Sequence, residues 1–393
     1  MAFPATRTAA LARLEAFVPR AGRAYAANRN SDAGPGMDGS TSRLSPAIRR
    51  RLVSEDEVAR RVLGAHGFGA AEKFLQEVCW RTYWVGWLQL RPVIWQRYLA
   101  DVDRLNGAAN TGLRTGLAMA TEGRTGIDCF DAWAQELTET GWLHNHARMN
   151  FASIWIFTLR LPWQLGADFF YRHLLDACPA SNTLSWRWVA GLQTPGKTYL
   201  ARADIVRDRS GGRFSVTAPL AREAVALPMD DIPPPRALSP AAVIDGTAPT
   251  GLFVTTEDLS LETLALPPLI GVAATTGIGG NPAPGKRRFA EAALADGVAR
   301  AAACAGVTTE RLDETALVEA MRDWAARRGL RQIITGDAPV GPVADVLARA
   351  RPVLAADGVR LLPLRRTWDD RAWPRATKGF FAFKAAIPGL LTL

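Results

Sequence analysis

Four short stretches of the chain put polar and aromatic side chains on shared surfaces. Starting from "GWLHNHARMN", Asn145, Arg148, Met149 and Ala152 stand at i, i+3, i+4 and i+7, so a helix would carry them on one face. An amide, a guanidinium and a thioether together suit a large, flat, partly polar ligand. The plainer alternative is a buried arginine satisfied by a carboxylate, and Asp176 is available for that. "STSRLSPAIRRRLVS" offers Thr41, Ser42 and Ser45 with adjacent backbone N–H groups near a helix start, an arrangement that holds phosphate oxygens. "FLQEVCWRTYW" sets Glu77, Trp80 and Arg81 on one helical surface: an acid, a stacking platform and a cation. "LLDACPASNTLSWRWVAGL" adds Asp176, Asn182, Trp186 and Trp188.

Other motifs carry less. "GGNPAPGKR" has Gly280, Gly285 and Lys286 at phosphate-loop spacing, but Arg287 stands where Ser or Thr should hold magnesium. Pro282 and Pro284 remove backbone donors, so a surface loop opening a helix is expected there. His144 and His146 lie two apart, point apart on a helix and would not chelate one metal. Neither "GxSxG" nor "HExxH" occurs, and no metal site is expected.

The elements that must position these residues fall into two patterns. Residues 1–215 read as helical, with periods near 3.6 in "SEDEVARRVLGAHGF", "AAEKFLQEVCWRTYWVGWLQL" and "FDAWAQELTETGWLHNHARMNFASIWIFTL". Ser54 and Glu57 form a capping-box signature. Ten of the 13 tryptophans lie between Trp80 and Trp188, more than core filling requires. Residues 216–250, rich in Pro and Ala, read as a linker. In 251–393 the strand candidates "GLFVTT", "LIGVAAT", "RQIITG" and "VRLLPL" alternate with helical runs, which implies a doubly wound parallel sheet. The expected fold is multi-domain: an all-helical domain followed by a smaller α/β domain.

Charge follows the same division. Residues 1–220 hold 27 Lys and Arg against 19 Asp and Glu, a net +8 of the chain's +9. A basic excess confined to one half suggests a polyanionic partner for that half, nucleic acid first, against the alternative of a generally basic surface. The four cysteines show no metal spacing and read as reduced thiols, the start lacks a secretory signal, and no run approaches the ~20 apolar residues of a membrane span. A cytoplasmic monomer with no membrane partner is expected.

Taken in order from Tyr25 to Leu192, "YAANR…DGSTSRLSP", "FLQEVCWRTYW", "TGIDCFDAW", "GWLHNHARM" and "LDACPASNTLSWRW" resemble the DNA photolyase/cryptochrome flavoproteins. The resemblance implies a helical domain that binds FAD in a folded conformation. "VTTEDLSLETLAL" and "ATKGFFAFKAAIPGLL" are similar to the start and end of that family's α/β antenna domain, which normally comes first, so the chain reads as a circular permutation.

Carried over by motif position, the resemblance implies that Tyr25, Thr41, Ser42, Leu44 and Ser45 hold the FAD phosphates and ribitol. It sets Arg81 and Arg148 near the flavin, with Arg148 paired to Asp176. Asn182 would belong to the same cofactor set, as would Cys178, where the family usually has a second aspartate, and Thr183, at the position facing flavin N5. Arg29, Glu77, Trp80, Asn145, His146, Met149 and Trp188 fall on positions that contact DNA or the lesion. Trp186 and Trp163 match the inner and middle members of an electron-transfer chain; Trp95 is the expected outer member, with Trp84 and Trp87 as rivals. The implied activity is light-dependent splitting of pyrimidine dimers in DNA, with Glu77, Trp80 and Asn145 at the lesion; a blue-light sensor of the cryptochrome kind is the alternative, and a flavin-free DNA binder a third. His146 replaces a common arginine, and Pro342 lies near an expected antenna-binding acid, so no antenna chromophore is expected. The helices that usually follow "WRW" are largely missing, which implies a more open cavity suited to single-stranded DNA.

Overall fold

The computed structural model describes residues 3–392 except 38, 195, 230, 278 and 280. The helical part runs α1 (Arg7–Phe17), α2 (Arg23–Asn28), α3 (Ser45–Arg49), α4 (Glu55–Gln89), α5 (Val93–Gly107), α6 (Thr111–Thr121), α7 (Asp128–Thr140), α8 (Asn145–Ser153), α9 (Trp163–His173), α10 (Pro179–Val189) and α11 (Ala203–Arg209). The α/β part runs β1 (Thr250–Val254), β2 (Gly271–Ala274), α12 (Pro284–Ala305), β3 (Thr309–Arg311), α13 (Leu317–Arg328), β4 (Gln332–Gly336), α14 (Pro342–Ala356) and β5 (Arg360–Leu364). Three short helices follow: α15 (Thr367–Ala372), α16 (Phe380–Lys384) and α17 (Ile387–Leu391).

The backbone of α4 organises the molecule. The Ser54/Glu57 box starts it, with the Ser54 N–H donating to Glu57 Oε2 at 2.9 Å. It kinks at Gly67, whose φ of 65° a β-carbon would disfavour, and continues to Gln89. The two expected helices therefore form one interrupted rod. The expected single run over 130–159 is instead broken. Gly141 ends α7 in the left-handed conformation, and His144 caps α8 by accepting from the His146 N–H at 3.1 Å. Past α8, Ile154–Thr158 forms a π-helical turn.

The sheet is parallel throughout, in the order β3-β2-β1-β4-β5, with Leu252 opposite Val272 and Ile334. Alternation along β1 divides its two faces. Leu252 and Val254 share a core with Leu14, Phe17 and Val58 of the helical part, while Phe253 packs with Trp324 and Leu347. Four strands match the expected segments. The fifth, β3, is three residues at an exposed edge, too short for the pattern to signal.

The last helices depart furthest from their expected place. Trp368, Trp373, Phe380, Phe383, Ile387 and Leu390 are buried with Tyr83, Trp84 and Trp87 in the helical core, not against the sheet. Gly86 permits this approach, because a β-carbon there would stand 2.8 Å from Trp373 Cα. The Trp368 indole N–H donates to Thr82 Oγ1 at 3.0 Å, and the Tyr83 hydroxyl donates to the Lys378 carbonyl at 2.9 Å. Residues 216–249 carry no helix or strand among those described. No described helix is long and apolar enough to cross a membrane.

The phosphate-loop resemblance also changes meaning. Gly280 lies outside the described residues. Lys286 is buried at the seam between the two parts, with its ammonium donating to the Tyr171 carbonyl at the end of α9 and lying 4.2 Å from the Tyr171 ring. Burial and the neighbouring Arg50 and Arg49 push its pKa down to about 7. A helix does open there, at Pro284, but the lysine is an internal contact and not part of a surface loop.

Candidate flavin and lesion site

Asp176 gathers the expected cofactor residues. It is buried in the turn between α9 and α10, and Arg148 reaches it from α8 with bidentate hydrogen bonds of 3.0 and 2.9 Å. Arg148 Nε donates to the Leu143 carbonyl at 2.9 Å, which fixes the guanidinium plane. Arg81 of α4 donates to the Asp176 backbone carbonyl at 3.3 Å. Ser45 of α3 hydrogen-bonds the carboxylate and accepts from the Trp142 indole at 3.2 Å. Burial alone would raise the Asp176 carboxyl; Arg148, then Arg81 and Ser45, hold it below its ordinary value. Ser45, Arg81, Arg148 and Asp176 thus form one hub drawn from four segments. The plainer reading of Arg148 is correct as geometry: Asp176 satisfies its guanidinium.

The other expected cofactor residues lie in α2, the loop before α3 and the start of α10. Tyr25 is buried edge-on to Phe17 and Phe74. Thr41 and Ser42 are half-buried in the loop before α3, where the Ser42 hydroxyl accepts from the Leu44 N–H at 3.3 Å. The Leu44 side chain is fully buried in the core, which leaves only its backbone for a ligand. Cys178 caps α10, its sulfur accepting from the Ser181 N–H at 3.2 Å, so a helix terminus explains a polar atom at that position. Asn182 donates to the Ala167 carbonyl at 2.7 Å. The Thr183 hydroxyl and His144 Nε2 are buried without a hydrogen-bond partner among the described residues. The Ser45 hydroxyl and the Arg81 and Arg148 guanidiniums around one carboxylate are donors of the kind that a flavin dinucleotide needs.

A polar group that sequence reasoning missed lies beside the hub. Asp32 pairs with Arg213 at 2.8 Å. Glu136 is buried, and burial together with Asp32 pushes its carboxyl up to about 7 against the pull of Arg213, Arg43 and Arg148. Nothing in its helical run marked it as an internal acid.

The expected lesion residues lie just past α2, at Arg29, and on α4, α8 and α10. Glu77 is partly exposed 3.6 Å from Arg29; burial of the carboxyl raises its pKa, while Arg29 and Lys73 pull it down. Asn145 is exposed, with its amide 3.5 Å from the Met149 sulfur. His146 contacts the Asn150 amide at 3.1 Å, and burial followed by His144 pushes its pKa down to about 4, so it is neutral at pH 7. Trp188 is half-buried and stacked on Tyr199 at 5.9 Å. Trp80 is not a bare platform: Phe380 of α16 stacks on it at 3.5 Å with an interplanar angle of 10°.

The tryptophan series contains a tyrosine. Trp186 leans on Gly166 of α9, where a β-carbon would stand 2.3 Å from its ring, one turn from Trp163. Trp163 stacks on Tyr98 at 5.8 Å, and Tyr98 stacks on Trp95 at 5.2 Å. Trp84 packs on Trp80 and Tyr83, and Trp87 lies under the Arg91 guanidinium. Among the three candidates for an outer member, the described ring contacts connect Trp95 to Trp163, through Tyr98. Trp95 itself is only 2% exposed.

Residues 74–209, which contain α8, α10 and the last 16 residues of α4, match the family described as the FAD binding domain of DNA photolyase. Residues 74–209 therefore carry the sequence of an FAD-binding domain of the photolyase type. A deoxyribodipyrimidine photo-lyase of Alkalihalophilus pseudofirmus is 33% identical over 192 residues, 48% of this chain and 39% of that protein. One from Streptomyces griseus is 35% identical over 180 residues, 42% of this chain and 38% of that protein. The chain therefore spans about two-fifths of the length of these curated relatives. A solved bacterial class III photolyase from Agrobacterium tumefaciens aligns over 52% of this chain and 43% of its own at 25% identity, with a TM-score of 0.42. The matched photolyase-type domain holds Glu77, Trp80, Arg81, Asn145, Arg148 and Asp176, whereas Tyr25 and Thr41–Ser45 precede it.

Proposed function

We propose that the chain is a blue-light-dependent lyase that splits cyclobutane pyrimidine dimers in DNA, with single strands favoured over duplex. The observation that carries this reading is the joining of Ser45, Arg81, Arg148 and Asp176 into one buried hub on the helices that leave Glu77 and Asn145 exposed. Cofactor side and lesion side thus share α4 and α8, the arrangement a short electron path requires. The basic half of the chain supplies the attraction for a polyanion.

FAD in its reduced form supplies the light-driven electron. Arg148 and Arg81 provide fixed positive charge for the flavin side, and Asp176 keeps both guanidiniums in place. A dimer leaves the DNA stack at a cost of a few kcal/mol, least where pairing is already lost. Trp188 and the uncovered part of Trp80 pack against it; stacking contributes about 1–3 kcal/mol per base. Glu77, exposed beside Arg29, would stand at the lesion and stabilise it by hydrogen bonding as negative charge develops there. Two carbon–carbon bonds of the cyclobutane ring break, with no net gain or loss of electrons. We further propose that Pro342, the first residue of α14, leaves the α/β part without an antenna chromophore.

A second reading, a blue-light sensor, is favoured by the stack of Phe380 on Trp80, which covers one face of the lesion platform. Dimer repair by the photoreduced protein under blue light, on single- and double-stranded thymine-dimer DNA, separates the two. Glu77→Ala should abolish most repair and leave flavin photoreduction in place. Photoreduction without repair of either substrate by the wild type selects the sensor.

A further inference from the structure

Trp95 and Tyr98 stand three apart on α5, so they share a side of the helix. Tyr98 stacks on Trp163 of α9 at 5.8 Å and 30°, and on Trp95 at 5.2 Å and 26°. The phenol ring therefore lies between two indoles, and no ring contact among the described residues joins Trp163 to Trp95 directly. All three rings are buried. The Tyr98 hydroxyl donates to the Gln164 carbonyl at 3.5 Å, a long contact to an atom that is no base. Burial, with Asp168 and Tyr171 nearby, pushes the Tyr98 pKa up, so the phenol keeps its proton. Two cations bracket the run. The Arg187 guanidinium lies 5.9 Å from the Trp163 ring, and Lys286 Nζ lies 4.2 Å from the ring of Tyr171, itself 5.8 Å beyond Trp95. A cation over a ring opposes further positive charge on that ring. An electron vacancy on Trp163 therefore gains by moving outward to Trp95, and Tyr171 does not draw it further.

We infer that Tyr98 is a bridging ring of an electron path: it passes an electron from Trp95 to Trp163 and is not itself left oxidised. The inference rests on the flavin-dependent reading above and names a further residue for the light-driven supply of reduced FAD. The balance is one electron. Trp186 loses it to the light-excited flavin, Trp163 refills Trp186, and Trp95 refills Trp163 through the Tyr98 ring. No bond forms or breaks. The Trp95 indole N–H is buried without a hydrogen-bond partner among the described residues, so its proton stays in place and the residue is left as an indole cation radical. An added thiolate returns the missing electron, with two thiolates ending as one disulfide for every two electrons. Had Tyr98 given up the electron itself, its phenolic proton would have to leave, and its described hydrogen bond leads only to a carbonyl.

The test identifies the radical rather than the repair product. The FAD-loaded protein is flash-excited without DNA or thiol, and the radical is read by electron paramagnetic resonance, with ring-deuterated tryptophan or tyrosine incorporated in parallel. The wild type should show an indole cation radical whose spectrum changes with deuterated tryptophan and not with deuterated tyrosine. Tyr98→Leu removes the ring and should lose most of this signal, with flavin content as the check on folding. Tyr98→Phe returns the ring without the hydroxyl and should rescue it. Trp95→Phe should lose the signal even if Tyr98→Leu does not fold. A phenoxyl radical in the wild type, a full signal in Tyr98→Leu, or equal losses in Tyr98→Leu and Tyr98→Phe overturns the bridging role alone. A wild-type signal in Trp163→Phe overturns the aromatic path and the bridge together.

Discussion

Two buried ionic clusters in this molecule use the same residue types to different ends. At the seam between the helical and α/β parts, Arg51 contacts Glu55, Asp258 and Asp369, and Arg366 holds Asp258 at 2.6 and 2.8 Å and also donates to the Ser260 carbonyl and hydroxyl. Arg51 adopts a φ of 51°, a left-handed backbone that a non-glycine residue keeps only when its surroundings over-determine it. At the hub, Asp176 gathers Arg148, Arg81 and Ser45, but His144 Nε2, close to Arg148, and the Thr183 hydroxyl of α10 have no hydrogen-bond partner among the described residues. None of Arg51, Glu55, Asp258, Ser260, Arg366 and Asp369 has a buried side-chain nitrogen or oxygen without a partner, whereas those two residues do. Under the function proposed above, the seam cluster holds the chain together and the hub serves the cofactor, because unsatisfied buried polar groups are costly unless something else meets them.

A crossed pair of substitutions can break this comparison. Asp258→Ala strands Arg366, while Arg51 keeps Glu55 and Asp369, and should cost about 3–5 kcal/mol of stability, with the flavin content of the remaining folded protein unchanged. Asp176→Asn keeps the shape of the hub and removes its charge. It should cost only about 1–3 kcal/mol but release the flavin, weakening its binding at least tenfold. Urea midpoints and the flavin absorbance of the folded fraction check both. If Asp258→Ala loses flavin as readily as Asp176→Asn does, the two clusters are one functional unit and the contrast fails.

The legible and illegible features divide by sequence distance. The capping box at Ser54, four of the strands and the match of Arg148 to Asp176 all come from local pattern or from short ordered motifs. Gly141 and His144 were readable in principle, since a left-handed glycine followed by a capping side chain ends one helix and starts another. The dense apolar periodicity on both sides masked them. No local signal could seat Phe380 on Trp80, 300 positions away, or put Tyr98 between Trp95 and Trp163. Glu136 looked like one polar residue among several in an amphipathic helix, and only tertiary packing buries it beside Asp32.

The seam also makes a smaller, pH-dependent prediction. It sets three carboxylates around two guanidiniums, so one acid is in excess. Burial raises the Asp369 carboxyl to about 7 against the pull of Arg51, with Glu55 adding to the rise. A folded pKa above the unfolded one means that the native state binds the extra proton between about pH 4 and pH 7. This contribution to stability is present in full below the unfolded pKa and is lost as pH rises through the folded one. Asp369→Asn should therefore flatten the fall in urea midpoint between pH 5 and pH 7.5. An unchanged slope would place the excess proton elsewhere, with Glu136, also raised to about 7, as the next group to replace.

The smallest expected effect concerns the residue that borders both clusters. Cys178 faces Arg49 from the hub side, and Arg49 pairs with Glu257 of the seam at 2.7 Å. Its sulfur caps α10 through the Ser181 N–H and also contacts the Ser181 hydroxyl at 2.8 Å. If capping is its whole role, Cys178→Ser keeps an acceptor in place and should shift stability by no more than about 0.5 kcal/mol, whereas Cys178→Ala should cost about 1 kcal/mol. Neither change should alter flavin content, because the carboxylate that holds the guanidiniums is Asp176. A loss of flavin in both variants with stability intact would move Cys178 from the helix terminus into the cofactor's contact set. The hub would then reach one turn further toward the seam than its hydrogen bonds indicate.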